Sequence, residues 1–195
     1  MSDILQRLER LRDTIQDADF MEGRGLANEV NLRIFSYAPE DELAVRQWVE
    51  SRRREKHLRC RLHVCNLYGE FLATLQEKEV LEACSEVEER DGREELLQAL
   101  RELIKPSDMA GRIVSREDLQ PGADVLLICG VGEIFPFLRV HSLLEALQPL
   151  IPNRLPVVVM YPGKYDGHYL QLFNKLAPNG YYRAFNLICD QPPTP

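Results

Sequence analysis

The sequence predicts an α/β domain: a mostly parallel five-stranded sheet flanked by helices on both faces, three layers in the order αβα. Three observations carry this. Two apolar runs, Val125-Leu-Leu-Ile128 and Pro156-Val-Val-Val-Met-Tyr161, are continuous rather than alternating, as in strands covered on both faces. The first of them passes through Gly130-Val-Gly132 into Phe137, Val140, Leu144 and Leu147 at helical spacing, which is half of a βαβ unit. Strand-like and helix-like segments alternate along the chain, which implies parallel strands joined by helical crossovers.

Residues 3–18 read as an amphipathic helix, capped by Ser2 or Asp3, with Ile4, Leu8, Leu11 and Ile15 on one face. Gly23 and Gly25 end that pattern. Residues 30–37 form the first strand: Val30, Leu32, Ile34 and Ser36 lie on one side, Phe35 and Tyr37 on the other. Pro39 opens a second helix. Glu40, Asp41 and Glu42 lie at its positive end, and Arg52, Arg53 and Arg54 at its negative end. Val45, Trp48 and Val49 are its buried stripe.

Residues 57–67 form the second strand, with Leu58, Cys60, Leu62 and Val64 opposite Arg59, Arg61, His63 and Cys65. His57, Cys60, His63 and Cys65 do not make a metal site. Cys60 faces away from the others, and His57 and His63 lie about 20 Å apart at ~3.3 Å per residue, whereas zinc ligands sit within about 2.3 Å of one ion. Residues 68–90 and 92–105 read as two helices joined at Asp91-Gly92. Pro106 stops the second, and 106–122 reads as a connection with a short helical turn at Arg116 to Leu119.

In the central unit, Gly130 and Gly132 relax the backbone past the strand, and Pro136 suits a first helical turn. Pro162 and Gly163 end the strand that begins at Pro156. The turn then leads into a short helix carrying Leu170, Leu172, Phe173 and Leu176. Asn179-Gly180 is a turn signal, and Tyr181 to Ile188 is the last strand. These elements make one domain over residues 1–190, with 191–195 a proline-rich, disordered tail. The topology is P-loop-like, but no G-x-x-x-x-G-K-[ST] occurs.

The 195 residues have ordinary globular composition and a net charge of −7, which argues against direct DNA binding as the main task. There is no signal-peptide pattern and no bilayer-spanning run. The odd count of five cysteines, mostly in apolar runs, reads as free thiols of a cytoplasmic protein.

No catalytic constellation, metal set or cofactor motif stands out. In Gly130-Val-Gly132, the third glycine of a dinucleotide fingerprint is replaced by Phe135, and Glu133 would repel a pyrophosphate. Cys129 and His141 do not form a catalytic pair, since helix geometry puts His141 about 12 Å along the axis from Gly132 at ~1.5 Å per residue. The turns after the parallel strands instead gather on one edge. That edge would carry Tyr37, Glu133, Lys164, Tyr165, Asp166 and His168, with Arg139 on the helix flank. Tyrosines and opposite charges beside rigid turns suit a protein–protein contact. The alternative is a degenerate nucleotide or nucleic-acid binder using the strand-end turns and Arg52–Arg54.

Four segments also resemble the BrxB family of bacteriophage-exclusion (BREX) defence systems: Ile34 to Arg46, Gly130 to His141, Pro156 to Gly167, and Tyr181 to Leu187. The resemblance covers essentially the whole chain. It implies a cytoplasmic, non-catalytic component of a multi-protein antiphage system, with no established catalytic residues. The partner it implies is the alkaline-phosphatase-like PglZ or another BREX component.

Overall fold

The computed structural model describes residues 3–24, 31–115, 118–176, 179–181 and 185–186. The expected caps and turns at Ser2, Gly25 and Arg116–Glu117, most of the last strand and the tail at 191–195 lie outside them. The chain opens with α1 (Asp3–Thr14) and the short α2 (Ala18–Met21), where the Asp17 carboxylate accepts from the Asp19 and Phe20 N–H groups. Then follow β1 (Leu32–Tyr37), a 3-10 turn at Pro39–Asp41, α3 (Glu42–Arg53) and β2 (Arg61–Asn66). Four helices cross to the next strand: α4 (Leu67–Glu77), α5 (Cys84–Asp91), α6 (Arg93–Leu103) and α7 (Pro106–Ser115). After them come β3 (Asp124–Cys129), α8 (Val131–Ile134), α9 (Val140–Leu147), β4 (Val157–Tyr165), β5 (Tyr169–Leu172), β6 (Asn179–Tyr181) and β7 (Phe185–Asn186).

The central sheet has five parallel strands in the order β2-β3-β4-β1-β7. Alternation along each strand feeds two cores. Leu32, Ile34, Leu126, Ile128, Val157 and Val159 face α4, α6, α7 and α9. Phe35, Tyr37, Val125, Leu127, Val158 and Met160 face α1 and α3, where Ile4, Leu8, Leu11, Val45, Trp48 and Val49 close over them. This is the expected three-layer arrangement. Each fully buried leucine or isoleucine in these stripes contributes about 1.5–3 kcal/mol. No helix among the described residues is long and apolar enough to cross a membrane.

At the amino ends of β2 and β3, paired residues Arg61 and Asp124 form a two-pronged ion pair at 2.6 and 2.9 Å. Asp124 is fully buried; it also accepts from the Gln120 N–H at 2.7 Å and sits 3.3 Å from His63 Nε2. His63 is therefore engaged with a carboxylate, and both His57 and Cys60 precede β2.

Four local expectations are corrected. The single helix at 68–90 is two, because Glu79 takes a left-handed φ of 58° and the Val80 N–H turns back to the Leu75 carbonyl. Pro106 starts a helix rather than a loop: it stands at the first position of α7, where a missing N–H costs nothing, and Met109, Ala110 and Ile113 are buried beneath it. Pro136 is not in a first helical turn. It lies between α8 and α9, follows a cis peptide bond, and its carbonyl accepts two hydrogen bonds from the Arg101 guanidinium. Finally, Pro162 and Gly163 do not end β4, and no helix follows them. The strand continues to Tyr165 and folds back as β5, antiparallel to it. Gly163 permits this, since a Cβ there would collide with the Gln171 carbonyl. Asp166 caps the turn by accepting from the His168 and Tyr169 N–H groups at 2.9 and 2.8 Å, and Gly167 takes a φ of 95°.

Candidate functional site

In open α/β sheets, ligands meet the carboxyl ends of the strands. Here the ends of β1, β2 and β3 open into a cleft of about 210 Å³ between α3 and α8, lined by Tyr37, Asn66, Cys129 and Gly130 with Glu42, Arg46, Glu50 and Glu133. Local chemistry explains the shape. Gly130 takes a left-handed φ of 76°, and a Cβ on it would come within 2.9 Å of Asn66 Oδ1, which is occupied in capping α4 through the Gly69 N–H. Gly132 is needed on the far side of α8, where a Cβ would meet the Phe173 ring at 2.9 Å and Pro162 at 3.2 Å. Strand, turn and hairpin therefore pack without room for larger residues.

Four polar groups of the cleft, Tyr37, Glu42, Arg46 and Glu133, are bonded to one another. The Tyr37 hydroxyl donates to Glu42 at 2.7 Å. Arg46 bridges Glu42 and Glu133, at 2.9 Å to each. Burial first, and then the bond to Glu42, hold the Tyr37 phenol far above its ordinary range. Burial, followed by the carboxylates of Glu133, Glu42 and Glu50, pushes the Cys129 thiol up to about 12. Both groups keep their protons at neutral pH, so neither is a ready nucleophile. The amino end of α3, where a P-loop-like sheet would cradle phosphate, is crowded by Glu40, Asp41 and Glu42. The arginine cluster at its other end is largely matched: Arg52 pairs with Glu55 at 2.8 Å and lies over the Trp48 ring, and Arg54 is 3.8 Å from Glu50.

The residues expected on the edge separate into three groups. Glu133 lines the cleft. Arg139 is exposed just before α9, beside a second, smaller pocket. Lys164, Asp166 and His168 are exposed on the β4–β5 hairpin. Tyr165 is not displayed: it is buried in the core, and its hydroxyl donates to the Gly167 carbonyl at 2.9 Å. The register explains this, because Tyr165 opposes Leu170 on the inner face of the hairpin while Lys164 opposes Gln171 on the outer one. In the sequence Glu42 stood out only as an acid at the start of its helix, and Arg46 and Glu50 did not stand out at all. Their spacing of four on one helix was the available signal.

A sequence profile of the family described as "BREX protein BrxB" matches residues 63–187, from β2 past β7. A "BREX protein BrxB" of Bacillus cereus (strain H3081.97) is 34% identical over 96% of this chain and 99% of its own length. The chain belongs to the BrxB family. A second "BREX protein BrxB", from Escherichia coli O9:H4 (strain HS), is 28% identical over 96% of this chain and 92% of its own. Membership makes this chain a component of a BREX phage-defence system, as the four sequence segments implied. No solved structure matches it. The BrxB profile takes in Asn66, Cys129 and the whole of α8, α9 and the hairpin, whereas the α3 wall of the cleft precedes it.

Proposed function

We infer that this BrxB-family chain is a non-catalytic adaptor that binds another protein of its BREX system, with PglZ as the partner, through the carboxyl edge of the sheet. One observation carries the reading. At the place where such sheets usually hold a ligand, Tyr37, Glu42, Arg46 and Glu133 are bonded to one another, and both candidate nucleophiles, Tyr37 and Cys129, hold their protons. The edge instead offers charge of both signs on rigid turns, exposed at Arg139, Lys164, Asp166 and His168 and half-buried at Glu133.

The test is recovery of the tagged chain from cells expressing the whole operon, with partners quantified by mass spectrometry. PglZ in near-equal amount supports the reading. Robust nucleotide or nucleic-acid hydrolysis by the isolated chain, lost in Tyr37→Phe or Glu133→Gln, overturns it.

A further inference from the structure

Among the described residues β2 ends the central sheet: β3 pairs with one side of it and no strand lies on the other. The Arg61 N–H bonds to the Ala123 carbonyl on the β3 side. By alternation the main-chain groups of His63 and Cys65 also turn to β3, and those of Leu62 and Val64 turn outward. No hydrogen bond reaches these outward N–H and C=O groups from any other described residue. The Leu62 and Val64 side chains are half-buried at the margin of the core under α1 and α3.

An open edge is commonly blunted by a bulge, a proline or a free charge. β2 matches β3 residue for residue over all six positions, contains no proline, and has its one arginine drawn onto Asp124. Only Cys65 of the strand is buried, whereas β3 is buried at all but its last position. The edge is thus a regular, partly apolar template for another strand.

Charge selects that strand. In the run leading into the amino end of β2, Arg53, Arg54, Lys56, Arg59 and Arg61 are all exposed, in a chain whose net charge is −7. At the carboxyl end Asn66 lines the cleft whose carboxylates, Glu42, Glu50 and Glu133, outnumber its one cation, Arg46. Charge therefore runs from positive to negative along β2. A second copy laid antiparallel reverses the gradient and sets the basic end of each beside the acidic end of the other. A uniformly acidic or basic strand of another protein would satisfy one end only.

We propose that two copies of this chain pair through β2, antiparallel about a two-fold axis at His63, so that their central sheets join into one. Leu62 of each copy then exchanges both main-chain hydrogen bonds with Val64 of the other, and the two apolar side chains meet on the α3 face. On the opposite face Arg61 stands across from Cys65, so no two arginines oppose. The axis at His63 keeps the pairing clear of Cys60, where the chain bends into the strand, and of Asn66, which caps α4. This is a different side of the sheet from the adaptor surface, and the pairing does not depend on that reading.

The test begins with the mass of the purified full chain by sedimentation across a dilution series. The expected species is a dimer, twice the 22.5 kDa of one chain. Its dissociation constant should rise with added salt, and about tenfold in Arg59→Glu. Val64→Pro removes one outward N–H and no bond to β3, so it should keep a cooperative melt while leaving only monomer. His63→Cys reads the register. Across the axis its two thiols fall within disulfide reach, whereas the Cα atoms of position 62 in the two copies lie more than about 7 Å apart. Mild oxidation should therefore link position 63 to 63 between copies about tenfold more than Leu62→Cys links 62 to 62, read by peptide mass spectrometry. A monomer up to about 100 µM, a dimer that persists in folded Val64→Pro, or linkage at 62 equal to that at 63 overturns the proposal. So does linkage of position 63 to another operon protein in place of a second copy. Should Val64→Pro fail to melt cooperatively, the linkage at 63 decides alone.

Discussion

Cys129 provides the sharpest test of the reasoning about the cleft. An ordinary thiol ionises near 9, and burial together with Glu133, Glu42 and Glu50 moves this one to about 12. The thiolate is the reactive form, so at pH 7.5 the folded chain presents about a thousandfold less of it than the unfolded chain does. The assay is alkylation by iodoacetamide, followed at the Cys129 peptide by mass spectrometry, with the same chain in concentrated urea as reference. The ratio of unfolded to folded rate should lie between about a hundred and a thousand at pH 7.5, allowing for local opening. It should shrink as pH rises past about 9, because the unfolded thiol then approaches full ionisation while the folded one is still gaining charge. A purely steric block would keep the ratio constant. A ratio within about threefold at pH 7.5 would refute the argument and return Cys129 to candidacy as a nucleophile. Linkage gives the stability counterpart. The folded value is raised, so this contribution is fully present below the unfolded value and is lost as pH rises from about 9 towards about 12. Cys129→Ser should flatten that alkaline decline in urea melts.

The buried Asp124 should be costly to neutralise. Asp124→Asn is expected to lose about 2–4 kcal/mol in urea unfolding, less than a fully enclosed pair because Arg61 reaches solvent. Burial pushes the Asp124 carboxyl up, but the Gln120 N–H, Arg61 and His63 outweigh it and hold it below its ordinary value. Its stabilisation is thus present above the unfolded value and lost as pH falls through the folded one, an acid limb that Asp124→Asn should flatten. Gly130→Ala combines a left-handed backbone with a clash against Asn66 and should cost about 1–3 kcal/mol, read as a lower melting temperature. Arg46→Ala leaves Glu42 and Glu133 without their shared cation. The site is half exposed, so the loss should be about 1 kcal/mol or less and should shrink as salt is added.

The central strands were legible because nothing competes with their pattern. Val125 to Ile128 and Val157 to Tyr161 are apolar at every position, and Leu32 and Ile34 alternate with Phe35 and Tyr37 as the two cores require. The hairpin was not legible. Leu170, Leu172, Phe173 and Leu176 satisfy a helical spacing as well as an alternating one, and Pro162-Gly163 resembles a stop. What decides the matter is a cross-strand approach, Gly163 against Gln171, which no local pattern reports. Helix α7 was hidden by Ser107, Asp108 and Gly111, a loop-like composition overridden by burial of Met109, Ala110 and Ile113. On the site, Glu133 and Arg139 were found as turn and flank residues. Their assignment to two separate pockets, on opposite sides of α8, depends on which way that one short helix is rotated.

The position of β1 has a consequence for biogenesis. The strand is translated early but lies inside the sheet, and its neighbours are β4 and β7, with Leu32 set against Val157 and Arg33 against Phe185. During synthesis it therefore emerges with both hydrogen-bonding edges open, while β2 and β3, which pair with each other, can zip first. Helix α1 can shield Phe35 in the interim, yet Ile34 faces a core whose α9 wall is still on the ribosome. Nascent chains arrested before Val157 should be protease-sensitive at β1 and engage holdase chaperones. Protection should arrive when β4 slides between β3 and β1 and joins two halves made at different times.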